Sequence, residues 1–495
     1  MKIKSIKIKY PKILISISTI AVLYLLLLIP VENNSIIPEG NKKPFIWNQD
    51  SVWNKLERTF INAASEGCDK IETYIDSLFI NSEKILNEIS DKDLKPSDEK
   101  FATLENYIFQ TAPLIPVCNQ YFPAYVNFYS QLRKVVKEQS RNWDMNSTDA
   151  RNTLYRLLYG NRTAIEEIML QLPSGEVAPL VKGIDEPSIT PFAEILGVEV
   201  HSGDILVSRG GAPTSALIAR GNDYPGNFSH IALVHIDEKT KAISIIESHI
   251  ERGVVISSLD EYLKDIKLRI MVLRLRSDLI KADPMLPHKA AEFALIEAKQ
   301  KHIPYDFEMN TNESEKQFCS EVASSSYKKF GITLWTGLSN ISTKGARNWL
   351  AAFGVKYFET EEPSDLEYDP KLSVVAEWRD PETLYKDHLD NAVTDVMLEE
   401  ADSGKVLSYD WYLLPVGRVT KLYSMILNLF GSVGPVPEGM SAEAALKNVE
   451  YSETHDKIKL KLIDLANKFK NENGYTPPYW NLVNLARQAR DEIKN

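Results

Sequence analysis

Between Asp204 and Leu275 a chain patterned elsewhere for helices turns into short β-rich runs. These are Asp204–Ser208, His230–Ile236, Ala242–Ile250 and Ile270–Leu275, separated by turn chemistry. Helical patterns precede them: from Trp53, apolar Leu56, Phe60, Ala64, Ile71, Ile75 and Leu78 recur at three-to-four spacing and predict one long amphipathic helix. Similar patterns return after about Arg379, with a loop at Gly431–Gly439. Pro173–Pro191 holds four prolines and reads as a linker or domain edge. Pro287–Lys301 and Cys319–Phe330 read as helices, the second stopped by Gly331. The reading is an α+β chain: a basic tail and anchor (1–31), a tether (32–48), a helical region (49–185), a sheet-containing domain (186–385) and a helical C-terminal region (386–495).

The N-terminus sets the compartment. Lys2, Lys4, Lys7, Lys9 and Lys12 precede Ile13–Ile29, 17 uncharged and mostly apolar residues. At 1.5 Å per residue such a helix is about 25 Å long, the lower limit for crossing a bilayer. A transmembrane anchor with the lysines in the cytoplasm is the favoured reading. A cleaved signal peptide is the competitor, though Ile29-Pro-Val-Glu32 lacks the small residues such cleavage prefers. The whole chain carries −11, so the five lysines leave −16 beyond them, which excludes a nucleic-acid partner held by a broad basic face. Three cysteines are too few for a disulfide scaffold or a cysteine-rich zinc module. Outside the cytoplasm Cys68 and Cys118 form a disulfide or remain two buried thiols.

Three polar residues in the middle domain stand where a fold would prefer apolar ones. His230 opens a strand, Glu247 interrupts the apolar run Ala242–Ile250, and Cys319 begins a helix. A two-residue loop at Glu238-Lys239 would set His230 opposite Glu247, whereas a four-residue loop would set it opposite His249. A carboxylate beside an imidazole fixes its tautomer, and a thiol at a helix N-terminus beside an imidazolium has its pKa lowered. The set suits nucleophilic catalysis: Cys319 attacks, His230 moves the proton and Glu247 orients His230. A metal site from these residues lacks His-x-x-x-His or Cys-x-x-Cys spacing, and no cofactor motif is present.

Taken together, Gly203–Leu206, Ser229–Ala232, Ile246–Glu247, Pro304–Asp306, Phe318–Glu321 and Tyr368–Asp380 resemble the permuted papain-like cysteine hydrolases of the YaeF/YiiX type, relatives of the NlpC-like peptidases. The order His, Glu, Cys is that of the circularly permuted branch. The resemblance implies a permuted papain-like antiparallel sheet over roughly Val200–Asp380, with Cys319, His230 and Glu247 as catalytic residues and Tyr305 lining the substrate cleft. Glu321 resembles the motif glutamate, although in a first helical turn it also serves the dipole. The expected activity is that of an exported amidase or peptidase working on peptide-like or acyl substrates, such as cell-wall peptides. An acyltransferase using the same cysteine and a non-catalytic tethered scaffold are the alternatives.

Overall fold

The computed structural model describes residues 11–29, 37–40, 42–47 and 50–494; the basic tail and much of the tether lie outside them. The N-terminal helices are α1 (Pro11–Leu27), α2 (Asp50–Glu66), α3 (Cys68–Ser90), α4 (Glu99–Thr111), α5 (Phe122–Ser140) and α6 (Thr148–Gln171). The single helix expected from Trp53 to Leu78 is instead α2 and α3, broken at Gly67, whose φ of +84° with ψ of 156° is a conformation open to glycine and not to the helix. Cys68 opens α3 and is disulfide-bonded to Cys118. The helices α3 to α6 bury Ile75, Leu104, Leu132 and Ile165 in one core, on which Phe45 and Trp47 of the expected tether also pack.

The expected transmembrane helix is not found. Helix α1 has 17 residues, and among the described residues no helix is long and apolar enough to cross a membrane. The run ends before Pro30 and so stays short of the ~20 residues a ~30 Å hydrocarbon core needs.

The middle of the chain supplies strands β1 (Leu180–Lys182), β2 (Phe192–Ile195), β3 (Val198–His201), β4 (Ile205–Gly210), β5 (His230–Ile236), β6 (Ile243–His249), β7 (Gly253–Ser257), β8 (Lys267–Leu275), β9 (Ser339–Asn340), β10 (Glu359–Thr360) and β11 (Leu372–Trp378). Seven of them form an antiparallel sheet in the order β1-β11-β8-β4-β5-β6-β7. Its helices are α7 (Pro213–Arg220), α8 (Leu259–Lys264), α9 (Leu286–Gln300), α10 (Cys319–Lys329) and α11 (Lys344–Phe353). Strand alternation divides the core. Ile205, Val207, Ile231, Leu233 and Ile246 face α9 and α10, while Leu206, Ala232, Val234 and Ile245 face the β2–β3 hairpin and Tyr262.

The C-terminal region consists of α12 (Pro381–Asp402), α13 (Leu414–Leu429), α14 (Ala442–Asn473) and α15 (Tyr479–Lys494). A buried ionic network ties the three regions together. Glu377 on β11 accepts from Arg133 of α5, from Arg162 of α6 at 3.2 Å and from Arg379 at 3.1 Å. Glu166 of α6 accepts from Arg269 of β8, which also reaches Asp387 of α12. Charges this deeply placed are tolerable only because each meets an opposite partner.

Candidate active site

The β5–β6 turn sets the register. Asp237 N–H donates to Ala242 O at 3.0 Å, and the Asp237 carboxylate accepts the Lys239 and Thr240 amides, closing a four-residue loop. Glu247 therefore pairs with Ala232, not with His230. The direct His230–Glu247 pairing is corrected to a diagonal one, still on one face and within side-chain reach. His230 Nε2 lies 2.7 Å from Glu247 Oε2.

Glu247 is almost wholly buried, and its other oxygen faces His249 Nε2 at 3.1 Å and Ser257 Oγ at 2.8 Å. Burial pushes this carboxyl up, but the hydrogen bonds from His230 and His249 outweigh it and hold it well below the usual carboxylate range. The ionised carboxylate takes the Nε2 hydrogen of His230, so Nδ1 is left as the basic nitrogen. Burial lowers the pKa of His230, against the raising effect of Glu247, and lowers it overall. His249 and Ser257 were not singled out from the sequence as site residues. A second histidine two positions along the same strand as Glu247 was the available signal.

Cys319 is the first residue of α10, which packs across β5 and β6. The approach to it is pinned: Gln317 N–H donates to Pro304 O at 3.0 Å, and Ser248 Oγ of β6 donates to Gln317 O at 2.6 Å. Glu321 caps the helix by accepting the Phe318 N–H at 3.0 Å. Burial pushes the Glu321 carboxyl up to about 9. The thiol is buried and lies within reach of the backbone of Ile231, at the peptide that follows His230. Among the described residues no hydrogen bond joins the thiol to the His230 ring itself.

The expected lowering of the Cys319 pKa is reversed here. Burial pushes the thiol up to about 12, the Ile231 backbone opposes this, and the nearby carboxylate of Glu362 adds to it. Glu362 is itself buried, has an unpartnered Oε2, and is pushed up to about 8 by burial and then by Asp365. The helix dipole favours the thiolate, but burial outweighs it and the enclosed thiol remains protonated.

Tyr305 follows Pro304, packs edge-on to Phe307 with ring centroids 4.9 Å apart, and lies within electrostatic reach of Cys319. Gly203 is needed because its φ is +99° and a Cβ there would fall 2.3 Å from Pro287 of α9. Asp204 holds Arg274 through two hydrogen bonds of 2.9 and 2.8 Å. Gly203 thus lets the sheet approach α9, and Asp204 ties the start of β4 to β8.

Donor atoms of His230, Glu247 and His249 lie within 4.8 Å of one another, a spacing one cation could share. As the groups stand, both ring Nε2 atoms point at carboxylate oxygens at hydrogen-bond distance. A cavity of about 530 Å³ lies away from this site, between the two helical regions, walled by Trp53, Phe60, Tyr159 and Trp480. Of its charged groups, Arg220 pairs with Asp395 and Arg487 with Glu399, while Glu57 accepts from the neutral donors Tyr475 and Asn481.

An antiparallel sheet, a later helix opening on a cysteine and an earlier strand opening on a histidine make up a permuted papain-like arrangement. Residues 199–376 match the family of permuted papain-like amidase enzymes, YaeF/YiiX, C92 family, so the resemblance read from the sequence holds over the central domain. At family level the match supports a papain-like hydrolase of the amidase kind for this domain. The flanking helical regions lie outside the match. No curated protein and no solved structure matches the chain.

Proposed function

We propose that the chain is a cysteine hydrolase that cleaves an amide or ester through an acyl-enzyme on Cys319. The observation that carries this reading is the 2.7 Å His230–Glu247 hydrogen bond in a domain matching an amidase family, with the Cys319 thiol at the peptide following that histidine. Substrate binding draws the thiol and Nδ1 of His230 together, since catalytic hydrogen bonds often tighten only in the complex. The thiol proton passes to Nδ1 as the sulfur–carbon bond forms. His230 then returns the proton to the leaving amine or alcohol, and water assisted by His230 releases the acid and restores the thiol. Glu247 holds the ring and stabilises its cationic form, and Tyr305 walls the cleft. The Cys319 backbone N–H at the start of α10 is one donor for the oxyanion.

The enzyme works outside the cytoplasm; the Cys68–Cys118 disulfide supports this, because such bonds persist in oxidising compartments. Peptide-like amides are the substrate class favoured by the family match. The test is turnover of a panel of peptidyl amides and acyl esters by the full chain. Cys319→Ala is expected to fall to background, and His230→Ala by roughly 10²–10⁴-fold in kcat. Full activity in Cys319→Ala would dismiss the reading, and products carrying an added amine in place of the acid would show the acyltransferase alternative.

A further inference from the structure

Helices α1 and α13 leave a large apolar surface uncovered. On α1, Ile15, Ile17, Ile20, Val22, Leu23, Leu25 and Leu26 are each more than half exposed, and they point to every side of the helix. A helix apolar all round is normally buried. On α13, Val416, Val419, Leu422, Tyr423, Ile426 and Leu429 recur at helical spacing along one exposed stripe, which ends on Phe430, itself 83% exposed. The two helices touch. Tyr24 donates its hydroxyl hydrogen to Tyr412 O at 2.7 Å, and Arg418 of α13 donates to Leu27 O at the end of α1 at 2.9 Å. That contact fills an unpaired helix-end carbonyl and joins the surfaces into one.

We infer that α1 and α13 together form a platform that docks in the plane of a lipid bilayer, without crossing it. Charge on α13 is turned inward: Arg418 reaches α1, and Lys421 donates to the carbonyls of Pro437 and Glu438. The outer stripe is therefore uncharged. Exposed Trp411, Tyr412 and Tyr423 are the amphipathic rings that settle at a headgroup boundary. The five lysines before Ile13, in a chain otherwise at −16, complement anionic headgroups. A rigid protein partner covers one side of a helix, whereas the acyl region of one leaflet meets every side of α1 that α13 leaves open, and at 17 residues α1 stops short of the length needed to cross. From α13 the chain enters the loop whose Gly439 packs on Phe307, so the platform adjoins the wall of the Cys319 cleft. The inference does not depend on the hydrolase reading.

The test is amide hydrogen exchange of the full chain with and without vesicles of phosphatidylcholine and phosphatidylglycerol at about 3:1. Protection of both α1 and the outer stripe of α13 is expected, weaker with phosphatidylcholine alone. The variant Leu422→Glu/Ile426→Glu/Leu429→Glu should lower vesicle partition at least about tenfold and abolish protection on α13. Protection confined to α1 on the wild-type chain would overturn the inference. So would α13 protection that rises with protein concentration in the absence of lipid, which would mark a second copy as the occupant.

Discussion

At the scale of single residues the site combines two opposed electrostatic environments. Glu247 is buried yet ionised because His230, His249 and Ser257 surround it with donors, while Glu362 is buried without a partner for one oxygen. The rate should follow His230. Its pKa lies below the ordinary 6.5, and only the neutral ring accepts a proton, so kcat/KM should fall with acid below that value. Since Glu247 raises the His230 pKa, Glu247→Gln should move this acid limb to lower pH while reducing the rate; an unmoved limb would separate the two residues. Glu362 is raised to about 8, so the stability it contributes is full below its ordinary 4.5 and is lost as pH rises through about 8. Glu362→Gln should therefore raise Tm at pH ~8, by at least about 1 kcal/mol of stability, and make Cys319 easier to alkylate. No change in either would show that the carboxyl is solvated. The sequence carried Cys319, His230 and Glu247 because each interrupts an apolar pattern. It did not carry the direction of the thiol shift, because burial depends on chain segments far from Cys319.

Among the elements, β5 coincides with its expected bounds, and β4, β6, β8, α9 and α10 lie within a few residues of theirs. All carry sustained apolar periodicity. Strands β1, β9 and β10 escaped because two or three residues hold no periodicity, and β11 because Glu377 and Ser373 face buried partners instead of water. The hairpin register turned on the Asp237 side chain, whose three donors fix a four-residue loop that spacing alone left open. The α2–α3 break depended on one glycine. The Cys68–Cys118 bond closes a separation of 50 residues, worth ~4 kcal/mol by loop entropy. Denaturant titration of Cys68→Ser/Cys118→Ser should show a loss of about 2–4 kcal/mol, and an unchanged midpoint would mean the bond adds nothing to the fold.

For the whole molecule, the helical regions are fastened to the central sheet by buried ion pairs between α5, α6, β8, β11 and α12. Partners up to 244 positions apart cannot be read from local pattern, and this is why nothing in the sequence showed how the helical regions attach. Glu377→Ala takes the carboxylate partner from Arg133 and one of two from each of Arg162 and Arg379, and should cost about 3–5 kcal/mol in chemical unfolding. The central claim is that a strand histidine and a helix cysteine, far apart in the chain, act on one acyl group. It is tested most directly by quenching the full chain during turnover of an activated acyl ester and locating the added mass by peptide mass spectrometry. The account predicts one acyl group on Cys319, accumulating in the wild type and formed far more slowly in His230→Ala. Acylation at another residue, or a Cys319 adduct formed at the same rate without His230, would contradict it.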